Sequence, residues 1–276
     1  MCRLYGFRAN EQTKVECTLV RAQNALLLQS RRDQRGIGHP DGWGIGFYAD
    51  GEPTVERRAT AAHTDLNFAV TTERTFSRTV IAHVRKATVG QPQVANTHPF
   101  SHGRWLFAHN GTMTGFDDVH HRLEAEIPAT LLQYRLGATD SELIFYWLLS
   151  RLLKAGATVD TGGDEEHLRT VVARSVVELA AWCEEAQPEA VPRLNFLLTD
   201  GVTMAATRWN NSLWWVERRE VHDCEICGIP HIRHTPSAPY RAAVIASEPI
   251  SHEEWQEIPD HSILVIDPEM RTITAL

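Results

Sequence analysis

Cys2 follows the initiator methionine directly. Removal of Met1 would leave a thiol and a free α-amine on one residue, a nucleophile beside its own base. An α-amine ionises at about pH 7.7–8.0, near working pH, as a general base should. A buried cysteine on a strand is the competing reading, since free cysteine packs as a small apolar residue. Arg85 lies in His83-Val84-Arg85-Lys86-Ala87-Thr88, where a strand meets a loop. There it can grip a carboxylate through two parallel hydrogen bonds or form a surface ion pair. In Asn96-Thr97-His98-Pro99, the proline holds His98 extended. These polar groups can line a site or make turn hydrogen bonds. His109-Asn110-Gly111 follows another strand. Asn-Gly is a hairpin signal, and the same pair offers an amide and a backbone N–H to one oxyanion. Thr139-Asp140-Ser141-Glu142 reads as a helix start with Thr139 and Glu142 in a capping box. Asp140 is then a first-turn acid or the partner of a substrate ammonium group.

A second group sits within residues 222–234. Cys224, Cys227, His231 and His234 offer up to four zinc ligands, with Gly228 suited to the turn of a metal knuckle. The histidines follow Cys227 more closely than in zinc-finger pairs, so a polar surface loop competes with the metal reading. A metal here would be a structural zinc in a closed site. Catalysis is expected to need no cofactor.

These residues must be positioned by ordinary globular elements. The chain has 276 residues, 43% hydrophobic and 22% charged, enough to bury a core without staples. No apolar run reaches membrane-span length and no signal-peptide pattern opens the chain, so a cytoplasmic protein is expected. A net charge of -8 disfavours a nucleic-acid partner. Five cysteines, only two of them close together, do not make a secreted disulfide framework. Residues 2–7 alternate as a strand and 19–30 as an amphipathic helix. Strands are predicted at 43–48, 54–58, 79–87 and 104–108, with a short helix at 65–72. Helices are predicted at 140–154 and 164–183, with Asp164 as N-cap and Gly156 as a stop. Strands return at 193–199, 203–208, 213–218, 242–247, 263–266 and 271–274. Without βαβ alternation, the pattern is α+β with mainly antiparallel sheets. One domain over 1–276 is expected.

Taken in order, Met1-Cys2, His83-x-Arg85-x-Ala87-Thr88, Asn96-x-His98-Pro99, His109-Asn110-Gly111 and Asp140-Ser141-Glu142 resemble the class II glutamine amidotransferases. Met-Cys-x-Leu at the start and Asp41-Gly42-Trp43-Gly44 resemble in particular the stand-alone YafJ-like and γ-glutamyl hydrolase branch. Ala246-Ser247-Glu248-Pro249-Ile250 with Glu254-Trp255 extends the likeness towards the end. The resemblance implies an N-terminal-nucleophile hydrolase fold, a four-layer αββα sandwich. It implies Cys2 as nucleophile and Asn110 with the Gly111 N–H as oxyanion donors. Arg85 would hold the substrate α-carboxylate and Asp140 its α-ammonium, with His98 near the substrate or its loop and without a part in proton transfer. The implied reaction is hydrolysis of the side-chain amide of glutamine or a γ-glutamyl amide through a thioester. The glutaminase fold nearly fills the chain, so ammonia would pass to a separate protein or hydrolysis would itself be the task. Acceptor-side contacts are expected from residues 36–41 and 89–94. The competing reading is a non-catalytic interaction protein on the same fold, docking a partner through the CxxC loop.

Overall fold

The computed structural model describes residues 2–221, 223–224, 226–232 and 238–275. β1 (Arg3–Lys14) passes through a π-helical turn at Cys17–Arg21 into α1 (Leu26–Arg31). β2 (Trp43–Ala49), β3 (Glu52–Arg58), α2 (Leu66–Arg74), β4 (Phe76–Val84), β5 (Phe100–His102) and β6 (Trp105–Thr112) follow. Then come α3 (Phe116–Glu126), α4 (Ala129–Leu132), α5 (Asp140–Lys154) and α6 (Glu165–Ala186). β7 (Arg193–Thr199), β8 (Met204–Arg208), β9 (Trp214–Arg219), β10 (Arg241–Ala246), β11 (Gln256–Glu257), β12 (Ser262–Ile266) and β13 (Thr272–Ala275) complete the order.

The strands form two antiparallel sheets. One runs β11-β9-β10-β1-β4-β2-β3, the other β13-β12-β8-β7-β6-β5. Period-two alternation divides their side chains among three apolar layers. Tyr5 and Phe7 of β1 face outward and pack with Trp43, Phe68 and Val80 beneath α1 and α2. Leu4 faces inward and meets Ile81, Leu106, Leu197 and Ile245 between the sheets. Trp105, Phe107, Phe196 and Leu198 face the other way, against α5 and α6. Each large side chain so buried stabilises by about 1.5–3 kcal/mol before the entropy of ordering is set against it. The result is the αββα arrangement, with mainly antiparallel sheets as expected. No helix among the described residues is long and apolar enough to cross a membrane.

Local signals held at several ends. Asp164 caps α6 by accepting from the His167 N–H at 2.8 Å. The Thr139 hydroxyl accepts from the Glu142 N–H at 3.2 Å. The Glu142 carboxylate, however, does not close a reciprocal capping box. It reaches further back, to the Leu136 and Gly137 N–H groups at 2.9 and 2.6 Å, and ties down the approach to α5. The helix predicted over 19–30 is broken around Asn24. Its backbone N–H bonds to the Ile250 carbonyl and its side-chain amide to the Pro249 carbonyl, so a tertiary contact replaces the local ladder. Helices α3 and α4 were not expected.

Candidate active site

The alternation that fills the middle layer also selects which residues meet at one end of the sandwich. Leu4, Ile81, Leu106, Ala108 and Ile245 all point between the sheets. Continued at the same parity, the strands place Cys2, Arg85, Asn110 and Ser247 on that face. The register agrees, pairing Arg3 with Val84 and Tyr5 with Ala246. Asn110-Gly111 is therefore not a hairpin turn. Both residues lie within β6, opposite Asn195 and Leu194.

Cys2 is buried, with Sγ 3.4 Å from both the backbone nitrogen and the carbonyl oxygen of Lys86. Burial pushes its thiol above the ordinary range, while the Lys86 backbone contact and the Arg85 charge pull the other way. Burial thus favours the protonated thiol over the thiolate. Arg3 is buried beside it, donating to the Cys2 carbonyl at 2.9 Å and pairing with Asp33. Glu248 lies 3.8 Å from Arg3 Nε. Burial penalises the Asp33 carboxylate, but the Ile37 N–H and the Arg3 charge hold its pKa below the usual value. His39, 3.1 Å from Asp33, is pushed down to about 4 by burial and by Arg3. This network fixes the backbone that carries the thiol.

Ser247 joins β1 to β6. Its hydroxyl oxygen accepts from the Leu4 N–H at 2.8 Å and lies 3.0 Å from the Asn110 side-chain amide. Its own N–H donates to the Leu4 carbonyl at 3.1 Å. With Asn110 Nδ2 turned towards Ser247, Asn110 Oδ1 is buried without a partner among the described residues and the serine proton has no acceptor in this group. The two ends of a carboxamide are told apart by their partners. Turned over, the Ser247 hydroxyl donates to Oδ1 and the Asn110 NH₂ becomes the buried, unpaired group. Gly111 is required beside it: a Cβ there would lie 1.7 Å from the Arg193 carbonyl oxygen.

Asp140, at the first position of α5, accepts from the Met113 N–H at 2.9 Å and the Ser141 N–H at 2.8 Å. Ser141 Oγ lies 3.1 Å from Asp140 and 2.9 Å from His109 Nδ1, locking two of the sequence motifs together. Cys2, Arg85 and Asp140 are near enough for both charges to act on the thiol. Arg85 turns its Nη atoms onto the carbonyls of Val89, Gly90 and Gln91, so it also shapes that loop. A cleft of about 510 Å³ opens there, lined by Ala87, Thr88, Gln91, Gln93, Asn96 and Ala138. His98 is buried against the His83 ring at 4.2 Å and against Phe100. Neither of its ring nitrogens has a hydrogen-bond partner among the described residues. Burial and the neighbouring His83 keep it well below the usual histidine range, hence neutral. Ser247 was missed as a site residue, although the parity of β10 marks its direction.

The CxxC segment lies at the other end of β1. Cys224, Cys227 and His231 come together there, and Cys17 joins them from the turn after β1. Nothing in the local sequence marks Cys17 for this role. His234 and His222 lie outside the described residues, as does Met1.

The family model for glutamine amidotransferases class-II matches residues 1–272. YafJ of Escherichia coli is 31% identical, over 94% of each chain. A probable glutamine amidotransferase of Saccharomyces cerevisiae, DUG3, is 29% identical over 96% of this chain and 82% of its own. The γ-glutamyl-hercynylcysteine sulfoxide hydrolase of Mycobacterium tuberculosis H37Rv is 28% identical over 100% and 97%. Among solved structures, a class-II domain protein of Silicibacter pomeroyi superposes with a TM-score of 0.62 at 22% identity, covering 99% and 98%. The glutamine phosphoribosylpyrophosphate amidotransferase of Bacillus subtilis gives 0.55 at 18%, with this chain matching 49% of it. The chain is therefore an enzyme on the N-terminal-nucleophile hydrolase fold and belongs to the class II glutamine amidotransferases.

Proposed function

We propose that residues 1–276 form one domain that hydrolyses γ-glutamyl amides with Cys2 as nucleophile after loss of Met1. The observation that carries this reading is the meeting of Cys2, Arg85, Asn110 and Asp140 around one end of the inter-sheet layer. The Cys2 α-amine takes the thiol proton and Sγ attacks the side-chain amide carbon. The C–N bond of the tetrahedral adduct breaks, and the amine returns the proton to the leaving nitrogen. Water then adds to the γ-glutamyl thioester, releasing glutamate and restoring the thiol. The raised pKa of the buried thiol supports the need for that base. The Asn110 amide and the Gly111 N–H receive the oxyanion. Arg85 binds the α-carboxylate and Asp140 the α-ammonium, while His98 supports the neighbouring loop without moving a proton.

The cleft begins at Ala87, one residue beyond the Lys86 backbone that touches Cys2. Its place supports a substrate whose leaving group is larger than ammonia. The M. tuberculosis hydrolase named above acts on such a γ-glutamyl compound and lends weight to that choice. With a leaving group larger than ammonia, hydrolysis is itself the task and no ammonia-accepting partner is required.

The test is glutamate release by the processed protein from glutamine and from a panel of γ-glutamyl amides, with intact mass reporting Met1. Turnover of the bulkier amides at higher kcat/KM than glutamine is expected. Retention of Met1 in the active form would sink the α-amine mechanism. Silence towards every γ-glutamyl compound would overturn γ-glutamyl amide hydrolysis as the reaction.

A further inference from the structure

We propose that Cys17, Cys224, Cys227 and His231 form a tetrahedral zinc site that clamps the connection between β9 and β10 onto the end of β1 remote from Cys2. One ligand atom from each residue lies within 4.8 Å of all the others. A tetrahedral zinc with Zn–S bonds of about 2.3 Å separates its sulfurs by about 3.8 Å. No pair of the four atoms therefore stands more than about 1 Å beyond that spacing. Cys227 Sγ and His231 Nε2 stand 3.3 Å apart, the spacing of one tetrahedral edge.

The backbone around the cysteines has the form of a metal knuckle. The Gly228 N–H donates to the Cys224 carbonyl at 2.7 Å, and the Cys224 N–H to the Ile229 carbonyl at 3.1 Å. Gly228 takes a φ of +72°, which a side chain would strain. The Ile226 N–H donates to Cys224 Sγ at 3.4 Å, a bond that favours a thiolate. Cys17 completes the set from a different element, the π-helical turn at Cys17–Arg21. His234, the fourth ligand expected from the sequence, lies outside the described residues, and Cys17 supplies a fourth ligand atom here.

Three soft sulfurs and one imidazole are the donor set of a structural zinc and leave no position for a reacting water. Three thiolates on one dication sum to −1. Lys14 and Arg21 stand close enough to act on this charge, although both also pair with Glu16. The clamp has a mechanical purpose. The connection from 220 to 240 is far longer than an ordinary hairpin loop. Besides the cluster, it meets the end of β1 through the Lys14 N–H to the His231 carbonyl and a bridge between Thr13 and Ile232.

The experiment is metal analysis of the full-length protein purified under reducing conditions without chelator. It is paired with cobalt(II) titration, which reports thiolate ligands by near-ultraviolet charge-transfer absorption. About one zinc per chain is expected. Cys17→Ser and Cys227→Ser should each reduce zinc to background. Cys227 is exposed, so its variant answers even if the buried Cys17→Ser fails to fold. His231→Cys, His234→Ala, Cys183→Ser and Cys2→Ala should keep a full equivalent. Reduced protein that takes up no zinc when offered one equivalent overturns the site. So does a disulfide among the three cysteines in protein isolated from a reducing cytosol. Full zinc in Cys17→Ser, or loss of zinc in His234→Ala, overturns this ligand set. Zinc content is read without any assay of glutamate release, so it stands or falls apart from the proposed hydrolysis.

Discussion

β1 has a cysteine site at each end, and the two are built on different principles. At Cys2 most partners come from neighbouring strands whose parity forces them onto one face, with Asp140 joining from the start of α5, and the Arg3–Asp33 pair holds the backbone. At Cys17 the partners come from a turn and a long connection that meets the end of β1 through one isolated bridge and the Lys14 N–H to His231 carbonyl bond. A sheet can orient a reacting group by itself, whereas loops need an additional agent to hold ligands in place. The largest expected effect tests that separation. Cys2→Ala should lower glutamate release by about 10⁴-fold or more, the scale of losing a covalent nucleophile. The same variant should keep its zinc and its melting temperature within a degree or two. Loss of zinc together with activity would show that the two ends are not independent.

Asn110→Ala follows in size. Removing one oxyanion donor costs about 10²–10³-fold in kcat, and KM for a γ-glutamyl amide should hardly move. A rise in KM at unchanged kcat would make Asn110 a ground-state contact and cancel its proposed role. The corresponding change at the other end, Cys227→Ser, should leave kcat at 25 °C within about twofold while lowering thermal stability, as expected of a structural metal.

What could be read beforehand follows the same division. The strand-rich ends and central helices made an α+β fold with antiparallel sheets legible, whereas the αββα layering came only from the family resemblance, because an all-apolar stretch of strand such as residues 105–108, buried on both faces, does not say which face meets which layer. Arg85, Asn110 and Asp140 were legible as an ordered set of short motifs. Ser247 was visible within such a motif, but its task depends on facing Asn110 across two sheets. Cys17 had no local signal at all, because its partners lie more than two hundred residues away. α3 was missed because Asp117, Asp118, His120, His121 and Arg122 leave it few apolar positions, and only Val119 and Leu123 are buried. The capping box was half right. Glu142 found the backbone of Leu136 and Gly137 instead of Thr139, a choice set by the path of the preceding loop.

Acid should weaken the Cys2 end through its histidines. An unfolded histidine ionises near pH 6.5, whereas His39 in the fold does so at about 4 because burial and Arg3 oppose its charge. Between those values the unfolded chain binds a proton that the native chain refuses. Its contribution to stability is therefore complete above about pH 6.5 and is lost as the pH falls towards 4. At pH 5 the loss from this one residue is about 2 kcal/mol. Asp33, with its pKa lowered, acts only further down, as the pH drops below about 4. Urea unfolding at pH 7.5 and 5.0 measures the slope, and His39→Gln should flatten it. An unchanged slope in that variant would assign the acid sensitivity to other groups, such as the buried His83 and His98.

The smallest expected effect on turnover is at Ser247, and it asks whether orientation alone matters at a site whose reacting groups are intact. Its hydroxyl bridges the Leu4 N–H and the Asn110 amide. Ser247→Ala leaves the buried Leu4 N–H without that acceptor, a cost of about 1–3 kcal/mol in stability. It also frees the Asn110 amide to turn, so the oxyanion donor is present but no longer held. Tethering of this kind is worth roughly tenfold in rate, well below the loss of the donor itself. The expected signature is a roughly tenfold lower kcat at unchanged KM, with partial recovery in Ser247→Thr, which restores a hydroxyl. A variant that melts earlier yet turns over at the original kcat would make Ser247 a fold residue. The aim of the Asn110 amide would then be set by β6 alone.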